Sequence, residues 1–71
     1  MKFPNSMQID KGSELVPGAL VAVWGDLAGY YRAPNGDVWS YGVTGEWINR
    51  GPLTREIFEN RLRGTWLEAV A

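Results

Sequence analysis

Two runs rich in aromatic and β-branched residues, Gly29-Tyr30-Tyr31-Arg32-Ala33 and Val38-Trp39-Ser40-Tyr41, flank Pro34-Asn35-Gly36-Asp37. An Asn-Gly pair in that setting is the strongest short-range signal for a β-hairpin. Both central residues of a type I′ turn need φ > 0, and Asn and Gly reach it at least cost. With Asn35 and Gly36 as a two-residue tip, Pro34 faces Asp37, Ala33 faces Val38, Arg32 faces Trp39, Tyr31 faces Ser40 and Tyr30 faces Tyr41. Facing residues share a side of a sheet. This register gathers Tyr30, Arg32, Trp39 and Tyr41 on one face and sends Tyr31, Ala33, Val38 and Ser40 to the other. Function then turns on which face is core and which is open.

At 71 residues the chain has room for one domain, 1–71. A chain this short buries only about 60% of its unfolded surface, so its core needs reinforcement. Cysteine is absent, which removes disulfides and thiolate metal sites, and histidine is absent too. Four Trp, three Tyr and two Phe remain as bulk, each able to bury about 150–250 Å². Seven basic against eight acidic residues give a net charge of −1, neither a nucleic-acid footprint nor an acidic tail. No secretory leader pattern and no apolar run of membrane-spanning length is present, so a cytoplasmic protein with no membrane partner is expected.

Along the chain, Pro4, Asn5, Gly12 and Pro17-Gly18 punctuate the first eighteen residues. Residues 1–5 read as a flexible arm, with Met7 and Ile9 at strand spacing after it. Ala19–Trp24 is a continuous apolar run and is expected as a central strand buried on both faces. Gly25-Asp26 turns into a strand over 27–33, and the Asn35-Gly36 hairpin leads to 38–43. Thr44-Gly45 forms a second two-residue turn that places Gly42 opposite Trp47, where a ring covers a strand glycine. Arg50-Gly51-Pro52 ends the sheet. A helix over 55–63 follows, with Thr54 as N-cap, Leu53 stapled to Phe58, and Ile57, Phe58 and Leu62 as its buried stripe. Gly64 stops it, and 65–70 returns as a last strand. The fold class is α+β: an antiparallel β-meander of about four strands, one short C-terminal helix packed on the sheet, and a final strand. An SH3-like small barrel is the alternative closure.

Without His or Cys, imidazole and thiol nucleophile schemes are excluded. The glycines have no phosphate-loop or dinucleotide spacing. An approach of Asp37 to Glu46 would be the one carboxylate pair of interest, and ordinary turn residues account for both. No catalytic, metal or cofactor site is therefore expected. The aromatic content exceeds what one helix and one sheet face can cover, and exposed aromatics with arginine mark interaction sites. Tyr30, Arg32, Trp39, Tyr41, Trp47 and Arg50 are the candidate partner-binding residues, with Arg32 over Trp39 as a cation–π pair. The function expected is a small non-catalytic protein-binding module. By analogy of size with phage and prophage proteins, it would be an accessory or inhibitor that occupies a surface of a larger protein. The competing readings are a single-strand nucleic-acid module, with bases stacked on the rings, and a homo-oligomeric subunit.

Overall fold

A computed structural model describes residues 3–62 and 64–68. Six strands and one helix follow in the order β1 (Ser6–Asp10), β2 (Leu15–Trp24), β3 (Ala28–Arg32), β4 (Val38–Gly42), β5 (Trp47–Gly51), α1 (Arg55–Leu62) and β6 (Thr65–Trp66). The sheet is an antiparallel meander, β1-β2-β3-β4-β5, with β6 returning to β2. The α+β plan holds, with one strand more in the meander than the sequence suggests. Among the described residues no pairing joins β1 to β5, so the sheet stays open.

The register differs from expectation by one residue, and the reason is local. Arg32 faces Val38, Tyr31 faces Trp39, Tyr30 faces Ser40 and Gly29 faces Tyr41. A two-residue tip would be closed by Pro34 and Asp37, each donating an N–H to the other, and Pro34 has none. Ala33 closes the turn instead, donating to the Asp37 carbonyl at 2.7 Å, while Gly36 donates to the Ala33 carbonyl at 3.0 Å. Proline's fixed φ suits the first corner of a type I turn, and Gly36 follows at φ +96°. Asn35 accepts from the Asp37 N–H at 3.0 Å. The loop is thus three residues long, and a one-residue slip exchanges the faces.

The next hairpin repeats the pattern. Gly45, at φ +81°, donates to the Gly42 carbonyl at 3.0 Å. Tyr41, not Gly42, then faces Trp47, and Ser40 faces Ile48. Gly42 does not lie under a ring; its other neighbour is Ala28.

Strand β2 runs through Pro17-Gly18, which the sequence reads as a break. Pro17 faces Gln8 and Gly18 faces Met7. Both β1 and β6 lie on the edge of β2 away from β3, β1 along its first half and β6 along its second. Between Leu20 and Ala22 the β2–β3 register jumps. This bulge turns Val21 and Ala22 into one cluster. It also frees the Val21 carbonyl to accept from Leu67 at 2.7 Å and Glu68 at 3.0 Å. Within the Ala19–Trp24 run only Val21 and Ala22 are fully buried, and Trp24 is 43% exposed. It is not a strand buried throughout on both faces.

Two cores result, one on each side of the sheet. On the helix side, Val21, Ala22, Ala28, Tyr30, Val38, Leu53 and Phe58 pack with Trp66. Thr54 caps α1, its Oγ1 accepting from Ile57 and its carbonyl from Phe58. Phe58 meets Tyr30 edge-on with ring centroids 4.9 Å apart, a contact adding about 0.5–1.5 kcal/mol to the area buried. Ile57, expected in the buried stripe, is 38% exposed, because α1 rests on the sheet chiefly through Phe58. At Gly64 a Cβ would sit 2.6 Å from the Val23 carbonyl and clash with the Phe58 ring, so glycine there allows helix and β6 to meet. The expected strand over 65–70 is two residues long in the described chain, and 69–70 lie outside it.

On the opposite side, Ile9, Tyr31 and Ala33 are buried beneath Phe3, Met7, Val16, Leu20, Trp39 and Trp47. Residues 3–5 are not a loose arm. The Asn5 carbonyl accepts from Leu20, the Pro4 carbonyl accepts from the Tyr31 hydroxyl at 2.7 Å, and Phe3 lies on Gly29. Residues 1 and 2 lie outside the described chain.

The buried and exposed sides of α1 should differ sharply. Phe58→Ala is expected to cost about 3–5 kcal/mol and Ile57→Ala under about 1 kcal/mol by denaturant unfolding. Gly36→Ala, with open space around the added methyl, should cost about 1 kcal/mol through backbone strain alone. Equal costs at 57 and 58, or a neutral Gly36→Ala, would contradict this packing.

Candidate functional site

The one-residue slip divides the expected binding residues between the two faces. Tyr30 is 1% exposed beneath α1, so it is core and offers nothing to a partner. Arg32 and Arg50 share its side of the sheet. Trp39, Tyr41 and Trp47 lie on the other side with Tyr31.

Arg32 does not reach Trp39. Its guanidinium lies 5.9 Å from the centre of the Trp66 ring. It donates to the Gly36 carbonyl at 3.0 Å, the Leu53 carbonyl at 3.3 Å, and both Glu68 oxygens at 3.2 and 3.0 Å. One side chain thus ties the β3–β4 turn, the segment before α1 and the end of the described chain together. It borders a groove of about 940 Å³ beside α1, where Arg55 also pairs with Glu59 at 3.3 Å. These charges are spent on one another. Arg50 donates from Nε to the Ser40 hydroxyl at 3.0 Å and is otherwise exposed.

The other face presents the aromatic surface. Trp47 stands edge-on to buried Tyr31 at 5.6 Å and tilts against Tyr41 at 4.8 Å. Trp39, Tyr41 and Trp47 are half-buried, each ring held by its neighbours and open on one side. The Trp39 indole N–H is buried with no hydrogen-bond partner, so the part of this ring that meets solvent is carbon. Aromatic rings fixed in place lose little conformational entropy on contact, which favours binding.

Two loops border a cavity of about 360 Å³ against Trp39 and Trp47: the β1–β2 loop through Asp10 and Lys11, and the β4–β5 loop through Gly45 and Glu46. Lys11 pairs with Glu14 at 3.9 Å, and Asp10 accepts from the Gly12 N–H. Among the described residues the lining therefore carries two carboxylates, Asp10 and Glu46, against one ammonium, Lys11, whose charge Glu14 already pairs. The sequence points to the rings, but not to this rim, which depends on two loops distant along the chain. Among the described residues no three acidic side chains gather to hold a metal ion, and no helix is long and apolar enough to cross a membrane.

Burial pushes the Tyr31 hydroxyl above the ordinary tyrosine value, and it does the same for Tyr30 against the opposing pull of Arg50. The unfolded chain then loses these protons first as pH rises. Stability from the neutral hydroxyls is complete below about pH 10 and falls above it. Tyr31→Phe should cost about 1 kcal/mol at pH 7 through the lost bond to Pro4 and flatten the alkaline decline in thermal unfolding. An unchanged alkaline decline would show that Tyr31 titrates alike in both states.

The chain matches no protein-family model, no curated protein and no solved structure.

Proposed function

We propose that the chain is a non-catalytic protein-binding module. It acts by occupying a surface of a larger partner, as an accessory or inhibitor protein would, through Trp39, Tyr41 and Trp47. The observation that carries this reading is a set of three half-buried rings on one face: Trp47 packs against Tyr41, and Trp39, its indole N–H buried, lines the same inter-loop cavity as Trp47. Aromatic-lined surfaces of this kind take extended apolar or proline-rich segments. The acidic rim favours a segment with basic residues at its flanks.

The separation of faces also weighs against the nucleic-acid alternative. A single-strand platform needs positive charge beside its stacking rings. Arg32 and Arg50 lie on the helix side of the sheet, and the cavity at the rings is lined by Lys11 with two carboxylates, Asp10 and Glu46.

A peptide array tests the proposal. Decapeptides with apolar or proline-rich centres, carrying basic or acidic flanks, are probed with the protein and with Trp39→Ala and Glu46→Lys. The basic-flanked set should bind. Trp39→Ala should weaken it by tenfold or more, on the scale of a binding hot spot, and Glu46→Lys should erode the preference for basic flanks. Cooperative melting of both variants shows that the fold survives. Should Trp39→Ala fail to fold, Glu46→Lys, on an exposed loop, carries the test. Indifference to flank charge, or oligonucleotide binding that strengthens as salt falls, would overturn the proposal.

A further inference from the structure

The tip of the β3–β4 turn holds reactive groups as well as a structural role. The chain has four asparagines, Asn5, Asn35, Asn49 and Asn60, and glycine follows Asn35 alone. An asparagine side-chain amide is open to attack by the backbone nitrogen of the next residue. At this turn the Gly36 nitrogen would bond to the Asn35 Cγ and give its proton to solvent, while the side-chain nitrogen leaves as ammonia. The cyclic succinimide so formed takes up one water and opens at either carbonyl, to aspartate or to isoaspartate. The balance is amide plus water to carboxylate plus ammonium, with no change of oxidation state. Glycine permits the attack best because it puts no Cβ in the path. Asn35 is exposed, and nothing lies within 4 Å of where a Cβ on Gly36 would stand, so water has free access.

The structure adds an activating contact and a brake. The Asn35 side-chain carbonyl accepts from the Asp37 N–H at 3.0 Å, which folds it back along the chain past the Gly36 nitrogen. The same N–H is placed to stabilise the negative charge that attack develops on that oxygen. Asn49 is the internal comparison. Its side-chain carbonyl accepts from the Gly51 N–H at 2.7 Å in the same manner, but the residue after it is Arg50, whose Cβ crowds the attack. The brake is the Gly36 N–H bond to the Ala33 carbonyl at 3.0 Å, which holds the nucleophile's proton until the turn opens. Arg32 steadies Gly36 from its other side, donating from Nη1 to the Gly36 carbonyl at 3.0 Å.

The two products leave different turns. Aspartate at 35 keeps an oxygen for the Asp37 N–H. Isoaspartate runs the main chain through Cβ and Cγ, adding a backbone atom to a loop whose length sets the β3–β4 register. We infer that Asn35 is a site of covalent self-modification, deamidation through the Gly36 nitrogen. Closure of the turn onto Ala33 holds it in check, and the isoaspartate product loosens that turn.

Prolonged incubation of the protein at mildly alkaline pH tests this, with mass-spectrometric peptide mapping that distinguishes isoaspartate from aspartate. Each event lowers the net charge from −1 to −2, so converted molecules separate by anion exchange. Asn35 should convert about tenfold or more faster than Asn49, a modest difference in barrier. Its rate should rise further in denaturant, where the brake is gone, while Asn49 stays slow because Arg50 still follows it. Gly36→Ala should slow conversion at Asn35 in denaturant, a comparison that holds whether or not that variant folds. The separated isoaspartate form should melt below the parent, and Asn35→Asp should melt with it. Conversion at Asn49 as fast as at Asn35, equal Asn35 rates in native and denatured protein, or an isoaspartate form as stable as the parent would overturn the inference.

Discussion

Proline has no backbone N–H, and at position 34 that absence sets the register of the whole sheet. A hairpin closed by Pro34 and Asp37 would begin with one closing hydrogen bond missing. Moving closure out to Ala33 restores it at 2.7 Å and leaves Gly36 to take the left-handed position. The single extra loop residue puts Tyr30 beneath the helix and Tyr31 on the far face. The second hairpin, with Gly45 in the same role, carries the phase on to β5. Which rings are core and which are half-exposed both descend from that closure.

Two smaller devices let a 71-residue chain without disulfides cover both faces of a sheet. The Val21 bulge turns consecutive residues toward the helix-side core and offers one carbonyl to the returning C-terminal segment. Arg32 then gathers three separate segments at its guanidinium, over the Trp66 ring. Its ion pair with Glu68 is partly exposed and contributes little. The bonds to the Gly36 and Leu53 carbonyls satisfy backbone acceptors of two separate segments, which is a sounder reason for an arginine there. The far face has no helix, so Phe3, Pro4 and Asn5 are drawn across it.

Local signals were legible in the sequence wherever the deciding physics is local. The turn sites at Gly36 and Gly45, the cap at Thr54 and the helix that follows it each depend on a few neighbouring residues. Register was not, because it turns on whether the residue before the Asn-Gly pair can donate a backbone N–H. Pro34 held that information in plain view. Continuity of β2 through Pro17-Gly18 was hidden for the opposite reason: proline and glycine are turn formers, and only pairing with β1 across Gln8 and Met7 makes them strand residues. The candidate site suffered most. Half of its expected members moved to the helix side by register alone, while the acidic rim that shapes the remaining half comes from loops far apart in sequence.

The proposed binding surface and both cores therefore stand on one alignment of β3 with β4, and cross-strand NMR contacts read it directly. Non-hydrogen-bonded antiparallel pairs bring their backbones closest. Strong Hα–Hα contacts are predicted between Tyr30 and Ser40 and between Arg32 and Val38. Such contacts between Ala33 and Val38, or between Tyr31 and Ser40, would restore the two-residue turn and contradict the arrangement of faces on which the account depends.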